Sequence, residues 1–257
     1  MKFLYLLCIG LLTCAACAPR VHTDIPAAAP AAWAALTGPR QGTDAVTAKF
    51  SLHVQTPKRT GRLVGQLWGY AESRIRLDLF SSAGPAVALI RESQHLWAAY
   101  LPQDNKAYHH DDARTGLALF HIPVPFTIRH VSSLLSGDYA RVLPKDYASV
   151  EVVASGKLRF TFAHNDILNV EITPSLDELV LHGVQGWTLT CANPYVTSDF
   201  PGRHLYQKFT FATPRDGMAI LRVKSLEAQG SWQDTDLDLR LPPNVTWMRL
   251  LDPPPLQ

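Results

Sequence analysis

The sequence predicts a mainly-β protein in which one large antiparallel sheet curls or closes and a single amphipathic helix lies against it. From Val46 onward, apolar and polar residues alternate with period two in many short segments, which is typical of strands with one buried face. Only the stretch 115–135 changes to helical spacing. With 47% hydrophobic and 18% charged residues, the 257-residue chain can bury a sizeable core.

About eleven strands are predicted. In Phe50-Ser51-Leu52-His53-Val54 the apolar residues share one side, and in 74–79 the arginines and the aspartate lie opposite the isoleucine and leucines. Further candidate strands lie at 63–70, 86–91, 95–101, 150–153, 157–163, 167–172, 179–182, 205–211, 218–227 and 237–241. Such strands belong to an antiparallel sheet with one face in water, and their number favours a sheet that curls or closes.

The predicted helix spans 127–135. Pro123 and Pro125 precede it and Gly137 can end it. Four of its residues fall on one helical face: Ile128, Val131, Leu134 and Leu135. We therefore expect this helix to lie as a lid over the apolar face of the sheet.

Residues 1–16 have the pattern of a secretory signal peptide. Met1-Lys2 supplies positive charge, residues 3–12 form an apolar run, and Ala15-Ala16 supply the small residues that processing requires. The apolar run is too short to span a bilayer as a helix.

Cys17 is the predicted lipidation site. Cys14-Ala15-Ala16-Cys17 resembles the bacterial lipobox, with a cysteine in place of the usual first leucine. Cys14 is an alternative site that Thr13 disfavours, and a signal without lipidation is a second alternative. Acyl chains contribute about 0.8 kcal/mol per buried methylene, enough for three chains to hold a protein on a membrane. By resemblance to Gram-negative lipoproteins, Ala18 in place of aspartate implies an outer-membrane anchor, with the protein facing the periplasm.

The rest of the chain is expected to hold one domain. We predict a tether at 17–44, rich in alanine and proline with a short helix around 31–36, then a domain at 45–248 and a tail at 249–257.

Charge and cysteine usage narrow the functional classes. The 24 basic and 22 acidic residues are interspersed and give a net charge of +2, so no nucleic-acid partner is expected. Only Cys191 lies in the body of the chain, which argues against a disulfide framework. We expect it to be a structural thiol rather than a nucleophile.

The sequence offers little catalytic chemistry. His109-His110-Asp111-Asp112 contains metal-ligand residue types, but adjacent strand residues point to opposite faces, so a solvated loop is the favoured interpretation and no metal site is predicted. Asp234, Asp236 and Asp238 are expected on the solvent face of a strand. No Gly-x-Ser-x-Gly, Gly-x-Gly-x-x-Gly, phosphate-loop or His-Glu-x-x-His motif is present, so we expect a protein that is not an enzyme and takes no cofactor.

Large apolar residues are numerous for a one-layer sheet. They include Phe50, Leu52, Leu67, Trp68, Ile75, Leu77, Leu79, Trp97, Tyr100, Phe160, Phe162, Phe209 and Phe211. A plain hydrophobic core is one interpretation. The other is a concave apolar space under the single helix, the usual form of a lipid-binding site.

Three local patterns, in order along 46–247, suggest a family. They are Leu63-Val64-Gly65-Gln66-Leu67-Trp68 followed by 74–79, then Ser81-Ser82-Ala83-Gly84, then Ile122-Pro123-Val124-Pro125 before the helix. All three resemble features of the LolB-type outer-membrane lipoprotein receptors, relatives of the periplasmic carrier LolA. The first resembles the family's strand that ends in tryptophan and the arginine-leucine strand after it. The second resembles its Pro-Leu-Gly hairpin loop, and the third its Ile-Pro-Leu start of a long helix.

The resemblance implies an incomplete antiparallel β-barrel with a helical lid around a cavity for acyl chains. The ligand-binding residues would be Phe50, Leu52, Leu67, Trp68, Ile75, Leu77, Leu79, Trp97, Ile128, Val131, Leu134, Leu135, Phe160 and Phe162. Ala83 and Gly84 would form the membrane-transfer loop, where Ala83 replaces the leucine that the family uses to help place cargo in the membrane. Residues 183–204 look like an insertion.

The leading hypothesis is an outer-membrane lipoprotein that binds acyl chains and receives or localises lipoproteins, with a periplasmic LolA-like carrier as its candidate partner. A second hypothesis is an envelope structural or assembly lipoprotein that acts through protein–protein contacts. A lipid-modifying hydrolase is disfavoured because no nucleophile motif is present. Lipid that co-purifies with the protein would support the first hypothesis over the second.

Overall fold

The computed structural model describes residues 26–39, 44–57, 60–119, 125–215, 217–228 and 231–251. Within these ranges the chain forms one fourteen-stranded sheet and four α-helices. The predicted signal peptide, Cys14, Cys17 and the end of the tail lie outside the described residues. No helix in the described ranges is long and apolar enough to cross a membrane.

The elements follow the sequence pattern closely. The strands are β1 Ala45–Gln55, β2 Thr60–Tyr70, β3 Arg74–Ser81, β4 Ala86–Ser93, β5 Trp97–Leu101, β6 Lys106–His110, β7 Ser149–Val152, β8 Leu158–Thr161, β9 Ile167–Ile172, β10 Leu179–Gly183, β11 Thr188–Tyr195, β12 Leu205–Thr213, β13 Gly217–Glu227 and β14 Thr246–Arg249. The helices are α1 Ala29–Thr37, α2 Ala113–Leu119, α3 Ile128–Leu135 and α4 Asp234–Leu237. Eleven strands correspond to predicted ones, whereas β6, β11 and β14 were not predicted.

The sheet is an incomplete antiparallel barrel. Its strand order is β14-β6-β5-β4-β3-β2-β1-β13-β12-β11-β10-β9-β8-β7, so β14 and β7 are unjoined edges. Strand β14 pairs with β6 in parallel, and the other pairings are antiparallel. The long connection between β6 and β7 carries α2 and α3. The predicted mainly-β class with a helical lid is confirmed.

Alternation along the central strands puts apolar side chains on the concave face. The register pairs Leu52 of β1 with Leu63 of β2 and with Leu221 of β13. Phe50 lies opposite Gly65, and a Cβ on this glycine would come within 2.2 Å of the phenyl ring. Glycine is therefore required here by the close approach of the ring.

Helix α1 packs on the sheet. It confirms the short helix predicted in the alanine-rich segment and buries Ala29, Ala32, Trp33 and Leu36. The Trp33 ring centroid lies 4.8 Å from that of Phe160, and its Nε1 donates to the Lys145 carbonyl at 3.4 Å. This part of the predicted tether therefore belongs to the folded domain.

Helix α3 begins as its sequence predicts. The N-cap Thr127 accepts the backbone N–H of His130 on Oγ1, and His130 Nδ1 accepts the N–H of Thr127, both at 3.3 Å. This reciprocal capping box satisfies two otherwise unpaired donors. Gly137 follows with a φ of 71°, a conformation that favours glycine. The apolar residues predicted to share one face are buried or half-buried: Ile128, Val131, Leu134 and Leu135.

The predicted strand at 237–241 is wrong. Helix α4 ends at Leu237, which is buried, and the chain after it forms no strand before β14. Asp236 belongs to the capping box of α4, whereas Asp234 and Asp238 form ion pairs with arginines of β3 and β4. The position of Asp236 is therefore set by the helix N-terminus, and those of Asp234 and Asp238 by the arginines. Alternation along a strand does not reveal either kind of contact.

The predicted loop at His109 and His110 is also wrong, since both residues lie in β6. The His109 ring faces Trp247 of β14, with 5.9 Å between ring centroids. His110 is buried, and its Nδ1 accepts the backbone N–H of Asp112 at 2.9 Å. The stretch 183–204, which resembles an insertion, supplies β11 between β10 and β12.

Candidate apolar binding site

An apolar cavity of about 260 Å³ lies between the concave face of the sheet and α3. Its lining residues are all apolar: Phe50, Leu52, Val54, Leu63, Leu77, Leu79, Leu117, Phe126, Ile128, Val131, Leu134, Leu135, Leu189, Phe209, Phe211, Ala219 and Leu221. They come from β1, β2, β3, β11, β12 and β13 and from the α2–α3 segment. The cavity therefore attracts ligands through burial of apolar surface, which contributes about 25 cal/mol per Å².

The cavity opens toward the β1–β2 hairpin, which we call the open end. Lining residues in this half of the sheet are half-buried: Leu52, Val54, Leu63, Ala219 and Leu221. At the α3 side, Ile128, Leu134 and Leu135 are nearly inaccessible, whereas Val131 is half-buried. Solvent therefore reaches the cavity at the hairpins and is largely excluded around Ile128, Leu134 and Leu135.

A buried carboxylate fixes the start of the lid. Glu92 of β4 is 0% exposed and accepts the backbone N–H of Ile128 at 2.7 Å and Nε of Arg129 at 3.0 Å. A buried charge is costly unless paired and hydrogen-bonded, and a helix N-terminus with a guanidinium meets both needs. This contact joins the N-terminus of α3 to the sheet.

His130 is neutral at the start of α3. Burial, followed by the positive charges of Arg114 and Arg129, lowers its pKa to about 4. Neutral imidazole leaves Nδ1 free to accept the N–H of Thr127. The capping box therefore depends on His130 staying unprotonated.

The structure brings together eight of the predicted ligand-binding residues in the cavity lining: Phe50, Leu52, Leu77, Leu79, Ile128, Val131, Leu134 and Leu135. It places the other six elsewhere. Leu67 and Ile75 are buried core residues outside the lining. Trp97 is fully buried and packs closely against Gly116 of α2, where an added Cβ would come within 2.5 Å of the indole ring.

The remaining three predicted residues lie in two other regions. Phe160 and Phe162 stack around Trp33, with ring centroids 4.8 and 5.7 Å from it, in the part of the core under α1. Trp68 lies on the outer face of the sheet, where the Arg76 guanidinium stands 5.0 Å from its ring centroid. The alternation of side chains along β2 sends Trp68 away from the cavity.

Nine lining residues were not among the predicted ligand-binding residues, although Phe209 and Phe211 were recognised as large apolar strand residues: Val54, Leu63, Leu117, Phe126, Leu189, Phe209, Phe211, Ala219 and Leu221. Alternation in β12 and β13 was visible, and it is the signal that could have assigned Phe209 and Phe211. Leu189 lies in β11, which the sequence did not predict, so its role needed the topology.

A second, polar cleft of about 440 Å³ lies on the outer face, between β1–β3 and the segment around α4. Arg76 donates from Nε to Asp78 at 2.9 Å within it. Burial raises the pKa of Asp78, against the lowering effect of the Arg76 hydrogen bond and charge. This ion pair joins two residues on the same face of β3. Unlike the cavity, the cleft is lined by charged and polar side chains as well as apolar ones.

The predicted transfer loop is the β3–β4 hairpin. Ala83 and Gly84 are exposed, and Gly84 has a φ of 116°. The pairing of Leu63 with Ser81 places this hairpin beside the open end of the cavity.

Other chemistry-bearing residues lie apart from the cavity lining. Cys191 in β11 is fully buried, and burial raises the pKa of its thiol. Such a thiol is unreactive, as expected for a structural cysteine. Among the described residues, no group of three or more His, Cys, Asp or Glu side chains is placed to hold a metal ion.

No family model and no curated protein matches the sequence, but solved structures match the fold. A LolA superfamily protein from Nitrosomonas europaea superposes with a TM-score of 0.52 at 11% identity, covering 82% of this chain and 97% of that one. An outer-membrane lipoprotein-sorting protein domain from Vibrio parahaemolyticus superposes with a TM-score of 0.50 at 12% identity, covering 82% of this chain and 94% of that one. A DUF1329 family protein from Desulfovibrio piger superposes with a TM-score of 0.50 at 9% identity, again covering 82% of this chain and 94% of that one.

These identities support a shared fold and leave the activity to be argued from the site. The matched part of each chain is nearly the whole of the neighbour. This chain therefore shares its overall fold with these solved structures, among them the LolA superfamily protein from Nitrosomonas europaea.

Proposed function

We propose that this chain is a LolB-like outer-membrane lipoprotein, anchored through Cys17 and facing the periplasm, that binds acyl chains of lipoproteins or of another lipid in the cavity under α3. The observation that carries the proposal is the wholly apolar lining. No lining group can pair with a charged or hydrogen-bonding ligand atom, so the ligand part that enters must be hydrocarbon. A polar headgroup would stay in water at the open end.

Loading requires α3 to move. The cavity, at about 260 Å³, lies just below the usual range of about 300–1,000 Å³ for ligand pockets. A lipoprotein with several acyl chains needs more room than this. We infer that α3 swings away from the sheet on loading, while bound chains replace the contacts that its apolar face loses.

Transfer of cargo needs no energy source in this scheme. Acyl chains move from a carrier to this protein if the cavity buries more apolar surface than the carrier does, since affinity follows buried area. A periplasmic LolA-like carrier is the proposed donor, and the outer membrane is the proposed destination.

Adjacent residues of β2 provide a matched test. Leu63 lines the cavity, whereas Val64 lies on the outer face and is 41% exposed. Leu63→Glu puts a charge in the cavity and should weaken binding of a fluorescent fatty acid about tenfold or more. Val64→Glu adds the same charge and should leave binding unchanged.

Native mass spectrometry of the purified protein provides a second measurement. Bound lipid is expected in the wild type and in Val64→Glu, and is expected to be lost in Leu63→Glu. A wild type that binds neither fatty acid nor lipoprotein, and that instead purifies with a stable envelope protein, would favour the assembly hypothesis.

A further inference from the structure

The outer face of β1, β2, β12 and β13, behind the cavity, carries unbalanced positive charge. Its basic residues are Arg62, Lys208, Arg222 and Lys224, together with Lys49, which lines the polar cleft that also contains Asp78 and Asp236. These four strands contain one carboxylate, Glu227, which lies at the far end of β13 opposite Thr47. None of the five cations forms an ion pair within the described part of the chain.

Other arginines of the sheet are neutralised locally. Arg76 pairs with Asp78 at 2.9 Å, and Arg159 pairs with Glu171 at 2.7 Å. Five cations without an ion pair therefore share this one face. A basic face of this kind attracts an anionic partner.

Two of these cations face each other directly. Lys208 on β12 is paired in register with Arg222 on β13. Like charges at directly opposed positions of an antiparallel pair destabilise the sheet. The fold itself therefore gains nothing from this pair, and an external anion would relieve the repulsion.

Exposed apolar side chains lie among the cations. Ser51 of β1 is paired with Arg222 of β13 on one side and with Val64 of β2 on the other, and Val64 is 41% exposed. Ile220, two residues from Arg222 on the same face, is half-buried. Cations mixed with exposed aliphatic groups fit the interface of a lipid bilayer, where phosphate headgroups overlie hydrocarbon.

The position of the face also fits a membrane. Arg62 precedes Leu63, which lines the open end and pairs with Ser81 of the β3–β4 hairpin. The basic face therefore extends to the open end of the cavity, next to the β3–β4 hairpin that contains Ala83 and Gly84. A bilayer held on this face would lie close to the cavity opening.

We propose that the outer face of β1, β2, β12 and β13 is a docking surface for an anionic phospholipid bilayer, with Lys208 and Arg222 at its centre. This surface acts separately from the cavity and does not depend on the cavity holding acyl chains. It would orient a lipid-anchored protein so that its open end meets the headgroups.

The test measures vesicle binding by the chain from Ala18 onward, which lacks the predicted signal peptide and both candidate lipidation sites. Vesicles contain phosphatidylcholine alone or equal parts of phosphatidylcholine and phosphatidylglycerol. We expect tighter binding to the anionic vesicles, lost in about 1 M salt because the screening length falls to about 3 Å. Lys208→Glu with Arg222→Glu should weaken this binding about thirtyfold or more.

The matched control is Lys106→Glu with Lys145→Glu, which changes the net charge equally at exposed residues away from this face. It should retain most of the binding to anionic vesicles. Equal loss in both double variants, or equal binding of the unaltered sequence to neutral and anionic vesicles, would overturn the proposal.

A single variant separates docking from folding. Arg222→Glu replaces the like-charge pair with an attractive one, so its melting temperature should stay the same or rise while its vesicle binding falls. A fall in melting temperature with unchanged vesicle binding would show that Arg222 has a structural role and would contradict the docking surface. Fatty-acid binding should be unaffected, which distinguishes this result from failure of the proposed cavity.

Discussion

At the scale of single residues, His130 couples the start of the lid helix to pH. Its Nδ1 accepts the backbone N–H of Thr127, and burial together with nearby Arg114 and Arg129 lowers its pKa to about 4. The unfolded chain binds a proton near pH 6.5. Between these values the unfolded state is protonated and the folded state is not, so acid favours unfolding.

We therefore predict that His130 makes the protein less stable as pH falls from about 6.5 to about 4. His130→Gln retains a hydrogen-bond acceptor suited to a capping box but does not titrate. Its free energy of unfolding should decline less over this range than that of the wild type, as measured by urea unfolding at several pH values. Parallel declines in the two proteins would show that His130 does not control the lid.

Cys17 is predicted to be the acylated mature N-terminus. Cys17→Ala should release the protein from the membrane fraction and prevent incorporation of labelled fatty acid, whereas Cys14→Ala should leave both unchanged. Normal labelling of the Cys17→Ala variant would identify Cys14 as the lipidation site.

At the scale of elements, α3 is held at one end and carries an apolar face along its length. Glu92 fixes its N-terminus to β4, and Leu134 is 4% exposed beneath it. A helix held in this way can separate from the sheet only if its apolar face gains another partner. Acyl chains in the cavity would be such a partner.

Leu134→Asp is predicted to destabilise the protein by about 3 kcal/mol or more, because it buries an unpaired carboxylate and removes apolar contact. Leu134→Met conserves volume and should cost less than about 1.5 kcal/mol. Thermal unfolding and fatty-acid binding of both variants provide the measurements. An unchanged melting temperature and unchanged binding in Leu134→Asp would exclude α3 as a lid over the cavity.

At the scale of the whole molecule, the antiparallel order brings separate hairpins to the same end. The β1–β2 and β3–β4 hairpins both lie at the open end, so Ala83 is next to the cavity although it does not line it. A leucine in this position could enter the lipid interface and contribute about 1.5–3 kcal/mol when fully buried, whereas alanine contributes far less.

Ala83→Leu is therefore predicted to speed transfer of a bound lipoprotein to liposomes without changing the affinity for that lipoprotein. Ala154→Leu is the control, because Ala154 is also exposed but lies in the β7–β8 hairpin at the opposite end. It should leave the transfer rate unchanged. Equal acceleration by both leucines would indicate a general gain in hydrophobicity, and no acceleration by Ala83→Leu would exclude a role for this hairpin in delivery.

The sequence by itself determined the class of the fold and the face on which most strand residues lie. Alternation of period two is a local property, so β2, β3 and β13 could be recognised without knowing their partners. The signals at Thr127 and Gly137 likewise bounded α3, because capping involves residues within one turn of the helix. The resemblance added the expectation of a lid over an open barrel.

Only the tertiary structure decided which apolar residues meet. Phe160 and Leu221 have the same inward-facing pattern, yet one packs under α1 and the other lines the cavity. Strands β6 and β14 escaped prediction, and β14 pairs in parallel with β6 at the sheet edge. The physical reason is the same in each case: packing partners and edge pairings join residues far apart in the chain, and strand order, not local spacing, fixes which of them come into contact.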